Sequence, residues 1–356
     1  MHYLRVKARW KHWCLFWWYL CCWILPASPI YSRASDMWRR CAQRKNLRLC
    51  LTVAFVLLAL QACLSAPQTR QLQAHAPARL VSSVLLDDVA FFPQDEFQCG
   101  PAALATILSA SQLNVTPDEL VSQVYIPARR GSLQIEMLAT ARRYGRLPYV
   151  LPGTLDTLLI EVAAGQPVLV MQNLGLSRWP QWHYAVVVGF DLVDNTITLR
   201  SGLRRNYVMP LAVFERTWAR AEHWSVVMLQ PGQVPVDADE TAYFQTLADF
   251  ELSQGGESAL AGWQAGLQRW PDSMLMTMGL SNQLYAQGKL QEAADVLMAF
   301  LTLDARSAVV HNNLAWLMFE LGMPEKAMNH ARQAAALNAA YTQTPVELHS
   351  KISNGK

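Results

Sequence analysis

The sequence predicts an α+β domain, with helices first and an antiparallel sheet after them, followed by an all-helical repeat and preceded by a targeting segment. Three observations carry this. Apolar residues recur at helical spacing across positions 98–164, whereas runs rich in Val and Ile with strand character occupy 167–229. Small residues return every 34 positions from Ala259 onward. An apolar run of fourteen residues, 49–62, lies behind a basic cluster near the front. The chain has 356 residues, enough to build two cores.

The front run (LCLTVAFVLLALQA) follows Arg44, Lys45 and Arg48 and ends in Leu60-Gln61-Ala62-Cys63. It is shorter than the roughly 20 residues that span a bilayer and has the length of a signal-peptide core. Its end resembles a bacterial lipobox. The resemblance implies that Cys63 carries a diacylglyceryl thioether, becomes the first residue after cleavage and anchors the protein to a membrane. Met37 opens a complete signal peptide of residues 37–62. Residues 1–36 therefore read as an extension from a start codon set too far upstream. Leu64, next to Cys63, is not acidic, which points to the periplasmic face of the outer membrane.

Residues 63–84 hold no sustained period and read as a tether. Residues 85–230 form the expected α+β domain. Within them, 98–111 is apolar at helical spacing, and Thr116-Pro117-Asp118-Glu119 forms a capping box with Pro at the first helical position. Helices over 132–144 and 154–164 stop at Gly145 and Gly165. Strands are expected over 167–174, 183–190, 196–200 and 224–229, with Asp194-Asn195 as a hairpin turn. Residues 231–240 (PGQVPVDADE) form a polar linker. Residues 241–340 carry the repeat, and 341–356 remain as a tail. The spacings Pro271, Ala305, Ala339 and Ala259, Ala293, Ala327 share the period, as do Gly288 with Gly322 and Leu280 with Leu314. With Leu314-Ala315, Gly322 and Ala327 at their offsets, the segment resembles the tetratricopeptide repeat. That resemblance implies helix pairs stacked into a solenoid that binds a peptide or protein. Few interactions should cross between such a solenoid and the domain before it, so the two halves are expected to separate.

Charge and cysteine content exclude several classes. Residues 1–62 hold ten of the 30 Lys and Arg, leaving 20 basic against 26 acidic side chains, a net −6, from Cys63 onward. A body of that sign is ill suited to a phosphate backbone, so no nucleic-acid partner is expected. Six of the seven cysteines lie at or before position 63, and Cys99 alone follows. That distribution builds neither a disulfide framework nor a zinc cluster, and no metal or cofactor is expected.

Cys99 opens the first helix in Gln98-Cys99-Gly100-Pro101-Ala102-Ala103. Free N–H groups and the positive end of the helix dipole favour a thiolate there, which predicts a depressed thiol pKa. About eighty residues later comes His183-Tyr184-Ala185-Val186-Val187-Val188-Gly189-Phe190-Asp191. Together with Gln94, these motifs resemble the bacteriocin-processing (double-glycine leader) peptidases, a papain-like group of cysteine peptidases. The resemblance covers about residues 85–230. It implies Cys99 as nucleophile, His183 as base and Gln94 as oxyanion donor. Two positions depart from the pattern. Gln94 stands five residues before Cys99, one closer than usual, so Gln98 is a second candidate donor. The Asp that orients His in the family is replaced at the matching place by Ser201 in TITLRSG. Asn206 also competes for that role, because a turn at Asp194-Asn195 brings it opposite His183. His223, ahead of another strand, is a second candidate base. Trp179, Trp182, Trp218 and Trp224 read as core or cleft wall.

The expected function is that of a membrane-anchored cysteine peptidase acting through Cys99 and His183, its repeats recruiting substrate or partner. The competing reading follows from the missing Asp. It is a catalytically weak or inactive, peptidase-like lipoprotein that binds peptides or scaffolds the cell envelope.

Overall fold

The structure is a computed structural model and describes residues 66–93 and 98–354. The expected upstream extension 1–36 and signal peptide 37–62, the expected lipidation site Cys63 and the expected oxyanion donor Gln94 lie outside the described residues. Among the described residues no helix is long and apolar enough to cross a membrane.

The elements follow the predicted order. After α1 (Pro67–Ala74) and β1 (Ser83–Leu85) come α2 (Cys99–Ala110), α3 (Pro117–Val124), the short hairpin of β2 (Tyr125–Ile126) and β3 (Gly131–Ser132), and α4 (Gln134–Arg143). Then β4 (Leu147–Val150), α5 (Leu155–Ala163), β5 (Val168–Asn173), β6 (Trp182–Asp191), β7 (Thr196–Ser201), β8 (Arg204–Pro210), α6 (Leu211–Ala219) and β9 (Ser225–Leu229) complete the first part. The sheet runs β4-β9-β5-β6-β7-β8, with β1 paired to the far end of β6, and every pairing is antiparallel. Both faces are covered, which is why the strands read as nearly continuous apolar runs. Leu169, Tyr184, Val186 and Val188 pack against Leu104, Ile107 and Leu108 of α2. Val168, Val170, Ala185 and Val187 pack instead toward α5 and Phe214 and Trp218 of α6.

Two stretches expected to be irregular are ordered parts of the body. Within 63–84, α1 is docked. The buried carboxylate of Glu215 accepts the N–H groups of Gln68 (2.9 Å) and Thr69 (2.7 Å), and Leu72 enters the core. The cap comes from a side chain about 146 positions away, so local sequence carries no sign of it. β1 then pairs with Gly189–Asp191, where any Cβ on Gly189 would stand 2.5 Å from the Val84 carbonyl oxygen. The tail likewise contains α13 (Thr344–Ser353), whose Leu348 is fully buried in the core.

Between these lie six helices, α7 (Glu240–Gln254), α8 (Gly256–Arg269), α9 (Met274–Ala286), α10 (Leu290–Leu301), α11 (Ala308–Glu320) and α12 (Pro324–Leu337). Positions 34 apart have the same structural duty. Ala259, Ala293 and Ala327 are fully buried where helices meet, and Gly288 and Gly322 take the left-handed φ (73° and 72°) that ends α9 and α11.

The expected separation of the halves is not what the structure has. One buried cluster runs from Leu147, Tyr149 and Leu151 through Tyr243, Leu247 and Phe250 of α7 to Leu348. A Cβ on Gly262 of α8 would meet both Leu247 and Leu147. Residues 231–240 are stitched down rather than free. Tyr149 Oη accepts the Asp239 N–H (2.9 Å), Glu161 accepts the Asp237 N–H (3.2 Å), and Arg142 pairs with Asp249 (2.7 Å). The cause is β4, an edge strand whose apolar side chains need cover, which α7 supplies. Burying three large side chains there contributes about 1.5–3 kcal/mol each.

Candidate active site

Cys99 is the first residue of α2, a helix buried along both flanks from Gly100 to Leu108. Pro101 sits in the first turn, where its missing N–H costs nothing. Backbone N–H groups of Tyr184, Gly100 and Cys99 lie near the sulfur. These lower the thiol pKa, but burial is the larger effect, and the net direction is upward. The expected depressed thiol is therefore corrected. The helix dipole and the nearby amides do not offset desolvation of the thiolate.

His183 enters near the start of β6, opposite Gln172 of β5. Its Nε2 lies 2.8 Å from Ser201 Oγ at the end of β7. With Nε2 engaged by Ser201, Nδ1 is the ring nitrogen left for another partner. Burial lowers the imidazole pKa to about 4, so near neutral pH the ring is uncharged. Cys99 and His183 line one cleft of about 980 Å³, together with Ser132, Met171, Trp182 and Gly202. At rest the Cys99 thiol, the His183 imidazole and the Ser201 hydroxyl are therefore uncharged, in a cleft that Arg129 and Arg130 also line.

Of the two candidates for the residue against His183, the structure brings Ser201 there and turns Asn206 elsewhere. The hairpin closes through four residues, 192–195, where a turn at Asp194-Asn195 alone implies two. Asp191 Oδ1 accepts the N–H groups of Val193 (2.8 Å) and Asp194 (3.0 Å), and Asp191 faces Thr196. An irregularity between Val187 and Gly189 shifts the register again, so Val186 faces Arg200. Asn206 Oδ1 accepts instead from the Arg200 guanidinium. Arg200, 1% exposed, also donates to the carbonyls of Val89 (3.1 Å), Asp87 (3.0 Å) and Arg205 (2.8 Å). It thereby ties the strand that ends in Ser201 to the segment leading toward Cys99. Arg200 is absent from the residues expected at the site; a lone Arg in an apolar strand pattern, which must find partners once buried, is the signal that could have found it.

Gln98 and His223 take structural positions. Gln98 precedes α2 without a side-chain cap, its carbonyl accepting the Ala102 N–H (3.2 Å). His223 packs edge-on against Trp218, 4.7 Å between ring centres, and is not among the residues lining the cleft. Of the tryptophans, Trp182 is half exposed on the cleft wall, Trp218 is core, Trp224 packs edge-on to Tyr184, and Trp179 is exposed outside it.

Gly100 and Ser132 explain each other. A Cβ on Gly100 would lie 2.1 Å from Ser132 Oγ, so β3 packs against the start of α2 only because position 100 is Gly.

Residues 86–226, which carry all of this cleft, match the Peptidase_C39 like family. Solved structures similar to this chain include a C39-like peptidase from Bacillus anthracis, 18% identical, covering 42% of this chain and 98% of that one with a TM-score of 0.36. The peptidase domain of Streptococcus ComA, a bi-functional ABC transporter involved in a quorum-sensing pathway, is 16% identical over 40% of this chain and 98% of that one (TM-score 0.34). The MamA protein is 20% identical over 32% of this chain and 63% of that one (TM-score 0.29). No curated protein matches the chain.

Proposed function

We propose that the protein is a cysteine peptidase in which Cys99 is the nucleophile, His183 the base and Ser201 the residue that orients it. The observation that carries this is the Ser201–His183 hydrogen bond in the cleft that Cys99 enters from a helix N-terminus. With no ion pair at rest, proton transfer accompanies attack. The thiol proton passes to His183 Nδ1 as sulfur bonds to the peptide carbonyl carbon, and the carbonyl π pair moves to oxygen. The Cys99 N–H and Gln94 are the donors proposed for that oxyanion. Collapse expels the amine, which takes the proton from His183. Water then hydrolyses the acyl-enzyme, with His183 as base again.

In the same reading, a lipid on Cys63 holds the protein at the periplasmic face of the outer membrane, and the helices of 241–340 act as tetratricopeptide repeats that recruit a protein. No nucleic acid, metal or cofactor is needed. Incubating the purified protein with a proteome-derived peptide library, and mapping new termini by mass spectrometry, tests the activity. Cleavage lost in Cys99→Ala supports the reading, and no cleavage by the wild type rejects it. A second reading, a peptide-binding scaffold with little or no turnover, is favoured by the absence of a carboxylate beside His183 among the described residues and by the uncharged thiol. Peptides retained by the wild type and Cys99→Ala alike, without new termini, would establish it.

A further inference from the structure

Eight buried polar side-chain atoms among the described residues have no hydrogen-bond partner, and of their residues Ser132 alone lines the cleft with Cys99. A buried hydroxyl without a partner costs about 1–3 kcal/mol, so a fold keeps one where something else uses it. The backbone around Ser132 is fixed independently of its side chain. Tyr184 Oη donates to the Ser132 carbonyl (3.2 Å), Tyr125 is its partner across the β2–β3 hairpin, and Gly100 gives up a side chain to let the hydroxyl approach α2. Ser132 Oγ lies toward the positive start of α2, which favours the oxygen there and leaves the hydroxyl proton without an acceptor.

We propose that Ser132 is a substrate-binding residue whose hydroxyl donates to a main-chain carbonyl of the bound peptide beside the bond that Cys99 attacks. This rests on the peptidase reading and adds to it a contact made by the β3 wall. Such a contact holds the peptide against the start of α2 whatever its side chains are. It also gives Gly100 a functional reason beyond packing.

The test uses the full chain, with one peptide found cleaved by the wild type as probe. Ser132→Ala should raise KM and lower kcat/KM roughly tenfold or more, the usual loss when a buried donor to a substrate is removed. The same variant should melt at the wild-type temperature or above it, because an unsatisfied buried group has been deleted. Its Cys99 should react with iodoacetamide at the wild-type rate. A kcat/KM within twofold of wild type overturns the proposal, and so does a loss of activity accompanied by a fall in melting temperature, which marks a structural residue. If the wild type cleaves no peptide in the library, the peptidase reading itself has failed and this contact falls with it.

Discussion

Ser201 Oγ stands 2.8 Å from His183 Nε2, and no charge accompanies the contact. A hydroxyl can orient the ring, but it can donate as well as accept, so unlike a carboxylate it neither fixes the tautomer nor holds a proton on the imidazole. Burial then sets the ring's pKa at about 4.

Cys99 should therefore alkylate slowly near pH 6, no faster than an ordinary thiol, since burial holds its pKa up. Ser201→Asp should reverse this by raising the His183 pKa and pairing an imidazolium with the thiolate. An opposite charge at that range is worth about 1–3 pK units, so iodoacetamide labelling at pH 6 should speed up about tenfold or more. A Leu64–Lys356 protein has no other thiol, so the label reports Cys99 alone. Equal rates in wild type and Ser201→Asp would show that the missing carboxylate is not what keeps the thiol neutral.

The pH dependence of kcat/KM should follow His183. Above about pH 5 the ring is neutral and able to take the thiol proton, and activity should fall only as pH drops through about 4. A fall centred near 6.5 would show an imidazole that burial does not perturb.

Stability should carry the same signature. The His183 pKa is about 4 folded against 6.5 for the free side chain, so between these values the unfolded chain binds more protons. The neutral-ring state loses nothing above pH 6.5, and stability declines as pH falls from about 6.5 to 4, by up to about 3 kcal/mol. Denaturant melts of wild type and His183→Asn across pH 4–8 isolate the term. The wild type should lose ground to the variant as pH falls, and a constant difference would contradict the assignment.

Gly100→Ala should cost about 1–3 kcal/mol by forcing Ser132 off α2. The double variant Gly100→Ala with Ser132→Gly should recover most of it. Thermal melts of the four proteins give the coupling, and additive losses would mean that the contact is not the cause.

Phe250→Ala, in α7, should destabilise by about 3–5 kcal/mol and should do so for the sheet as well as the helices, because one core serves both. Melting followed by near-ultraviolet and far-ultraviolet signals should remain a single coincident transition. Two separated transitions would restore independent halves.

How far the sequence reaches differs by element. The buried strands 167–174 and 183–190 and the helices after Gln98 and Thr116 were legible because their periods are set by what each side must bury. α1 was not, since Pro67 is its one local start signal and its N-terminal amides are held by Glu215 from far along the chain. β4 was missed as well; it is short and contains Pro148, tolerated because the strand lies at the sheet edge. At the site, Cys99 and His183 stood out by residue type and context. The choice between Ser201 and Asn206 turned on a register that an Asp191 cap and an irregularity moved, and neither follows from residue spacing. The direction of the thiol pKa turned on burial depth, which only the packed structure supplies.

With α7 welded to β4, no hinge lies between the cleft and the helices that follow. A peptide gripped by those helices would meet the thiol at a local concentration fixed by the length of chain between the grip and the cut. Too short a spacer fails to reach, and too long a one dilutes the reacting bond by about the −3/2 power of its length. The molecule would then work as a ruler. Its cuts would be counted in residues from the gripped segment, and lengthening that spacer would change turnover more than altering the residues at the cut.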